Sequence, residues 1–228
     1  MNFLKSSEGG FPKADVFHEQ TGPDTILKKH VGPPKYQAIA IQFDPLMPKP
    51  LFEWIADTLA MSSVRKNGAI ITAVSNHVEK NRLQFNNALI TEFGIPTCEA
   101  SSQEPGNLNL KVAPEFTTFL PEKGSILSTV GAKSKAWLSS NFRLTIPGLD
   151  CRKISKIDAL TCKQSVRQNA VGEKRNPQLE PARLEYPNLV IYISEQFAGT
   201  FYAWFQDMVV KGNVDEKNER PGTRELLD

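Results

Sequence analysis

The stretch KYQAIAIQFDPLMPKPLFEWIADTL (residues 35–59) joins a strand pattern to a helix pattern, and the fold is built around it. In its first part Ile39, Ile41 and Phe43 alternate with other residues, which predicts a strand over Tyr36–Phe43. In its second part the apolar residues recur at i, i+3, i+4 and i+8: Leu51, Trp54, Ile55 and Leu59. This spacing predicts a helix over Leu51–Met61, and the prolines just before it suit a helix start.

The same pattern recurs 150 residues later, which is the separation of Trp54 and Trp204. Residues 185–209, EYPNLVIYISEQFAGTFYAWFQDMV, align with residues 35–59 without a gap, and 4 of the 25 positions are identical. Unrelated sequences would share roughly one or two. The apolar helix positions become Phe201, Trp204, Phe205 and Val209. We interpret both sets as core anchors of an internal repeat.

The rest of the chain favours short strands. Sixteen prolines and fourteen glycines interrupt it often, and alternating runs such as Leu108–Phe116 and Phe142–Ile146 predict half-buried strands. We therefore predict a mainly β fold, a barrel or sandwich of short antiparallel strands with one short amphipathic helix per unit. The predicted organisation is a flexible arm (1–12), a first unit (13–116), a linker (117–140) and a second, incomplete unit (141–228).

Composition excludes several classes of protein. The chain has 27 Lys and Arg against 25 Asp and Glu, a net charge of +2, too small for general attraction to nucleic acid or to a membrane surface. No apolar run reaches the eighteen residues of a membrane span, and the first residues lack the apolar segment of an export signal. Three cysteines without a CxxC pair predict no disulfide framework, which fits a reducing cytoplasm.

Signatures of catalysis are absent from the sequence. It contains no GxSxG, GxxxxGK[ST], HExxH or GxGxxG motif, and its three histidines have no partner at metal-ligand spacing. We expect no catalytic residue, metal or cofactor. A Cys98 nucleophile with His77 as its base is conceivable, but free cysteines are more often packing residues. A small basic cluster, Lys28, Lys29 and His30, suits either a solvated loop or a contact with a partner.

The order of these elements resembles the tail tube proteins of contractile phages, which are related to the tube proteins of extracellular injection systems and of type VI secretion. In the second half the similar motifs are Phe142-Arg-Leu-Thr-Ile-Pro-Gly, the segment Tyr186–Ile193 and the helix Phe201-Tyr-Ala-Trp-Phe. In the first half they are the strand ending at Phe43 and the helix Leu51-Phe-Glu-Trp-Ile. The chain is similar to about one and a half tube units. The first unit lacks its own leading strand and is open to borrowing Phe142–Ile146, while the second ends before its closing strands.

The resemblance implies a non-enzymatic structural subunit, assembled in the cytoplasm as part of a virion tail or injection particle. It implies rings of six copies that stack into a hollow tube or cap it, sheath or baseplate proteins as partners, no sequence-specific nucleic acid and no membrane insertion. A baseplate, hub or tube-end subunit is an alternative within the same apparatus. A small β-barrel that binds an apolar ligand is an alternative of another class.

The long connections His18–Lys35 and Gln164–Glu185 are the expected contacts between subunits, because the similar segment of the tube family extends as a hairpin to neighbouring subunits. The candidate contact residues within them share a charged side chain or imidazole: Asp24, Lys28, Lys29, His30, Arg167 and Lys174.

Overall fold

The computed structural model describes residues 4–20, 27–45, 47–62, 64–74, 78–121, 137–169 and 176–227. These residues form fifteen strands and two α-helices in a mainly β fold. The elements up to the centre of the chain are β1 (Leu4–Gly9), β2 (Pro12–Gln20), β3 (Leu27–Tyr36), β4 (Ile39–Phe43), α1 (Lys49–Leu59), β5 (Lys66–Ala73), β6 (Glu79–Ile95), β7 (Cys98–Glu99), β8 (Leu108–Ala113) and β9 (Phe116–Leu120). Those that follow are β10 (Phe142–Thr145), β11 (Ile154–Ile157), β12 (Leu160–Asn169), β13 (Gln178–Glu185), β14 (Ile191–Ile193), α2 (Gly199–Phe205) and β15 (Thr223–Leu226).

The largest sheet is organised around the 17-residue strand β6. Its order is β1-β4-β8-β6-β12-β13, and β5 and β9 pair with the first half of β6. Strand β6 changes partners near Asn87, which has a φ of 49°. Asparagine tolerates this left-handed conformation better than most residues, and here the backbone N–H of Asn87 donates to Oδ1 of Asn67 at 2.7 Å.

One face of this sheet is apolar and is covered by α1. Ile39, Phe43, Leu108, Leu110 and Val112 are buried there, because alternate residues of β4 and β8 point to the same side. Helix α1 begins after Pro48 and carries Pro50 in its first turn, where the missing N–H groups cost no helical hydrogen bond. Burial of this apolar face supplies the main core of the molecule.

A second core lies among shorter sheets. Strands β14, β11 and β7 form one sheet, and β10 pairs with β15 in another. They surround a buried cluster that includes Cys98, Trp137 and Ile157. Leu226 of β15 packs against both cores, so the two cores are contiguous.

Several segments differ from the sequence-based expectation. Residues 4–9 of the predicted flexible arm form β1, which pairs with β4 along its length. The predicted linker begins inside β9, which pairs with β6, and Trp137 at its other end is 4% exposed. Phe142–Thr145 pairs with β15 of the same half and does not close the first unit. Residues Thr223–Leu226 thus form a strand whose own Leu226 packs against both cores.

The two halves share an order of hairpin, strand and helix, but their strands have different partners. Hairpin β2–β3 is followed by β4 and α1, and hairpin β12–β13 by β14 and α2. Strand β4 lies between β1 and β8, whereas β14 pairs with β11. Strand β12 pairs with β6, so a strand of the second half extends the sheet of the first. The internal repeat and the boundaries of the two units therefore stay predictions.

Candidate subunit interface

The anchors of α1 lie against the large sheet. Trp54 and Ile55 are 6% and 4% exposed, and Leu51 and Leu59 are half-buried beside them. The indole N–H of Trp54 donates to the carbonyl oxygen of Val64 at 2.8 Å. Thr58, one turn after Trp54 on the same side of α1, is buried too, and its hydroxyl donates to the carbonyl oxygen of Trp54 at 2.8 Å. This face of α1 is fully used in packing within the chain.

Helix α2 is placed differently, and here the expectation of a core stripe needs correction. Phe201 packs against the second core, and Trp204 is half-buried with its indole N–H unpaired among the described residues. Phe205 and Val209 are 50% and 64% exposed, and no residue of α2 is buried. The periodicity placed these residues on one side of a helix, but neighbouring elements cover only part of that side.

The solvent side of α2 is apolar as well, which the sequence analysis did not identify. Tyr202 is 62% exposed, and its ring lies 6.2 Å from that of Phe205 between centroids. The helix continues as one π-helical turn over Gln206–Val210, in which Val210 is 69% exposed, and Val214 beyond it is 69% exposed. We call this surface the α2 face: Tyr202, Phe205, Val209, Val210 and Val214.

The connection 18–35 is largely a β-hairpin. Strands β2 and β3 pair with each other in a sheet of their own, from Pro12 opposite Tyr36 to Gln20 opposite Leu27. Every residue of β2 is exposed. On one side of the hairpin Val16 lies opposite Val31, with 55% and 70% of their surfaces exposed, and Leu27 on the same side is 62% exposed. The hairpin therefore presents apolar side chains without a core beneath them.

The base of this hairpin is held to the body. The ring of Phe11 stacks on that of Phe119 of β9 at 5.6 Å between centroids, and the backbone N–H of Gln37 donates to the carbonyl oxygen of Phe11 at 3.1 Å. Within the hairpin, Phe17 lies against Gly32, where a side chain on residue 32 would collide with the ring. These contacts fix the direction of the hairpin and leave its outer part exposed.

The candidate contact residues are distributed over both hairpins. Lys28, Lys29 and His30 are exposed neighbours on β3, and Nε2 of His30 lies 3.3 Å from a carboxylate oxygen of Glu19. Arg167 is exposed on β12, opposite Glu180 of β13. Asp24 and Lys174 lie outside the described residues. The structure therefore groups the basic cluster on one strand and places Arg167 on a different hairpin.

The face of the large sheet opposite α1 is polar. It forms an open hollow of about 420 Å³ whose lining includes Ser6, Glu8, Gln42 and Asn109. Across it, Nζ of Lys111 lies 3.3 Å from a carboxylate oxygen of Glu92. Alternation of polar and apolar residues along β4 and β8 produces this contrast between the two faces.

The space between α1 and the large sheet gives little support to a ligand-binding barrel. The gap between α1 and the sheet, lined by Ile55, Leu59, Ile90 and Phe93 among others, measures about 10 Å³. That is the space of about one water molecule, whereas ligand pockets measure hundreds of cubic ångströms. The sheet and α1 thus form a packed core.

The buried cysteines of the described chain pack against other residues of the core. Cys98 is fully buried, and its Sγ accepts a hydrogen bond from Nη2 of Arg224 at 2.9 Å. Burial raises the pKa of the Cys162 thiol. His77, the base considered for Cys98, lies outside the described residues. Among the residues that are described, no group of three or more His, Cys, Asp or Glu is placed to bind a metal ion.

One carboxylate has a strongly shifted pKa, and the cause is local. Hydrogen bonds from the guanidinium and the backbone N–H of Arg152 lower the pKa of Asp150 to about 2. Both residues lie in the turn between β10 and β11. This interaction stabilises the charged form of Asp150 and the turn that contains it.

None of the helices in the described ranges is long and apolar enough to cross a membrane.

Neither a scan against protein-family models nor a search of curated proteins found a match to the sequence. Among solved structures the chain is similar to the tube-terminating cap of the anti-feeding prophage, with 17% identity, 52% of this chain and 80% of that chain covered, and a TM-score of 0.45. It is similar to a chain of the sheath–tube complex of an extracellular contractile injection system, PVC, with 16% identity, coverage of 52% and 80%, and a TM-score of 0.46. It is also similar to Hcp1 from Flavobacterium johnsoniae, with 14% identity, coverage of 54% and 91%, and a TM-score of 0.33. Each alignment covers about half of this chain.

Proposed function

We propose that this chain is a non-catalytic structural subunit of a contractile phage tail or phage-tail-like injection apparatus. It assembles with copies of itself, as a ring of six, into a hollow tube or onto its end. Its partners are further tail, baseplate and sheath proteins, and it acts without a cofactor, without sequence-specific nucleic acid and without membrane insertion. Assembly takes place in the cytoplasm, and the product is a component of the virion tail or injection particle.

The observation that carries the proposal is the exposed hairpin β2–β3. An isolated two-stranded hairpin is at best marginally stable in water and needs a further surface to bury its apolar side chains. Val16, Leu27 and Val31 are more than half exposed, and within the described chain only the base of the hairpin is held. A neighbouring subunit would supply the missing surface, as expected for a protein that acts by assembly.

The edges of the large sheet support the same function. Strands β1 and β13 are its outer strands, and each is paired on one side only among the described residues. Unpaired edges are sites where another chain can add a strand.

A tube-end or baseplate subunit is the second candidate. The observation that favours it is the second core, formed by β7, β10, β11, β14 and β15, because it lies beside the large sheet and differs from it in topology. A subunit with two unlike cores can present different surfaces to the tube and to another component.

Mass photometry and negative-stain electron microscopy of the purified full chain test the proposal. We expect ring-shaped particles whose population rises with concentration, alone or with a tube protein of the same apparatus. A chain that stays monomeric at all concentrations, and that binds no other tail component, would contradict it.

A further inference from the structure

Helix α2 has too few polar residues for a helix that lies at the surface. Over residues 199–210, GTFYAWFQDMVV, the polar side chains are those of Thr200, Gln206 and Asp207. A helix that is apolar on nearly all sides is normally buried on nearly all sides. Here Phe201 packs against the second core and Trp204 is half-buried, while the α2 face is at least half exposed throughout.

Helix α1 is the comparison, because its apolar side is covered by the sheet. It buries Trp54 and Ile55 against the sheet, and the indole N–H of Trp54 finds an acceptor. On α2 the indole N–H of Trp204 is buried without a hydrogen-bond partner among the described residues, and the guanidinium of Arg220 lies 5.8 Å from the centre of the Trp204 ring. Among the described residues, the α2 face has no covering layer like the one that the sheet provides for Trp54 and Ile55 of α1.

We propose that the α2 face of one copy binds the β2–β3 hairpin of a second copy. The inference rests on the proposed function and names the contact through which copies join. Both surfaces are apolar and exposed, and the hairpin is long enough to leave its own subunit, since nine residues of β2 span about 30 Å.

Charge favours this pairing over contact between two like surfaces. Residues 11–36, which contain the hairpin, carry four lysines and three acidic residues, a formal charge of +1 with histidine neutral. Residues 195–220 around α2 carry five acidic residues, two lysines and one arginine, a formal charge of −2. Opposite charges around apolar patches attract the two surfaces and disfavour hairpin–hairpin and α2–α2 contacts.

The contact is heterologous, because two different surfaces of the same chain meet. Such contacts join copies head to tail and produce a closed ring or an open filament, according to the rotation between subunits. This property allows a complementation test, in which two variants that each lack a different surface still bind each other. Two such variants of a symmetric dimer would not be restored by mixing.

Mass photometry on the full chain compares three double variants. Tyr202→Ser with Val209→Ser removes the α2 face, and Val16→Ser with Val31→Ser removes the hairpin face. Phe52→Ser with Val74→Ser is the matched control, since these residues are 60% and 45% exposed and lie outside both surfaces. We expect at least a tenfold loss of assembled protein for the first two variants, unchanged assembly for the control and unchanged melting curves for all three.

Mixing the α2 variant with the hairpin variant gives the decisive result. The first retains an intact hairpin and the second an intact α2 face, so the mixture should form dimers and nothing larger. Carbodiimide cross-linking of unsubstituted chains, mixed in ¹⁴N and ¹⁵N forms, should join Lys28 or Lys29 of one copy to Asp215, Glu216 or Glu219 of another.

If the α2 variant assembles like the unsubstituted chain, or if these cross-links form only within one copy, the inference is wrong while the proposed function stands. If the unsubstituted chain never assembles and binds no tail component, the proposed function is wrong as well.

Discussion

Trp54 and Trp204 occupy equivalent positions of the aligned segments, yet their surroundings differ. Trp54 is 6% exposed with its N–H bonded to Val64, and Trp204 is half-buried with its N–H unpaired among the described residues. A large aromatic side chain contributes according to the area it buries and the hydrogen bonds it completes. Equivalent sequence positions therefore differ here in their contribution to stability.

Trp54→Ala should lower the free energy of unfolding by about 3–5 kcal/mol, the range for emptying a large aromatic site in a core. Trp204→Ala should cost about 1–2 kcal/mol, because part of its surface is already in water. Urea denaturation of the monomeric protein measures both values. Trp→Phe at each site is the control: at position 54 it should cost about 1 kcal/mol more than at 204, because only there is a made hydrogen bond lost. Equal losses at the two sites would show that α2 is packed as α1 is.

At the scale of elements, hairpin β2–β3 stands apart, because its strands pair only with each other and every residue of β2 is exposed. Deletion of residues 21–29 should leave the melting temperature of the body within a few degrees of the full chain, since the hairpin is anchored at its base by Phe11 and Phe119. Assembly should be lost, because the hairpin carries the proposed contact. Circular dichroism follows the melting and mass photometry the assembly.

The matched control is an insertion of a Gly-Ser pair after Gln103, an exposed position between β7 and β8 that belongs neither to the hairpin nor to α2. Assembly that persists after the deletion would remove this hairpin from the interface. A collapse of the melting temperature would instead show that the hairpin belongs to the core.

Sequence patterns predicted elements where the signal is local. The alternation of Ile39, Ile41 and Phe43 and the helix spacing of Leu51–Leu59 each lie within one element, and β4 and α1 are found there. The sequence contains little strand signal for hairpin β2–β3. Strand β2 has no buried face and β3 contains Gly-Pro-Pro, so neither strand shows an alternation of buried and exposed residues. Exposure of Phe205 and Val209 could not be predicted either, since periodicity defines a side of a helix but not what covers it.

At the scale of the whole molecule, contacts between the halves are numerous. One such contact is the pairing of β6 with β12. In addition, Nη2 of Arg65 donates to the carbonyl oxygen of Leu179 at 2.6 Å, and the hydroxyl of Tyr186 donates to the carbonyl oxygen of Leu59 at 2.6 Å. Arg224 near the end of the chain donates to the carbonyl oxygen of Pro96 at 2.6 Å. No local pattern in the sequence indicates these contacts, because their partners are far apart in the chain. The three hydrogen bonds join residues more than a hundred positions apart, and β6 and β12 are also distant in sequence.

The full chain should therefore unfold in one cooperative transition, although its sequence suggests two units. Scanning calorimetry should give a single peak, with tryptophan fluorescence and far-ultraviolet circular dichroism coinciding in urea. A fragment of residues 141–228 should be unfolded by itself, because β12 then lacks β6 as its partner. Two separate peaks, or a folded fragment, would show that the halves are independent domains.

Strand β6 also has a mechanical consequence. It passes from the β5–β9 side of the sheet to the β8–β12 side without a break, and neighbours hold it on both edges along much of its length. A force applied along β6 is therefore borne in shear by many hydrogen bonds at once. A force on the tip of β2–β3 separates that hairpin one bond at a time, since its two strands pair only with each other. If the chain is a tube subunit as proposed, we expect β6 to transmit the load along the tube, and the hairpin to yield and re-form without loss of the core.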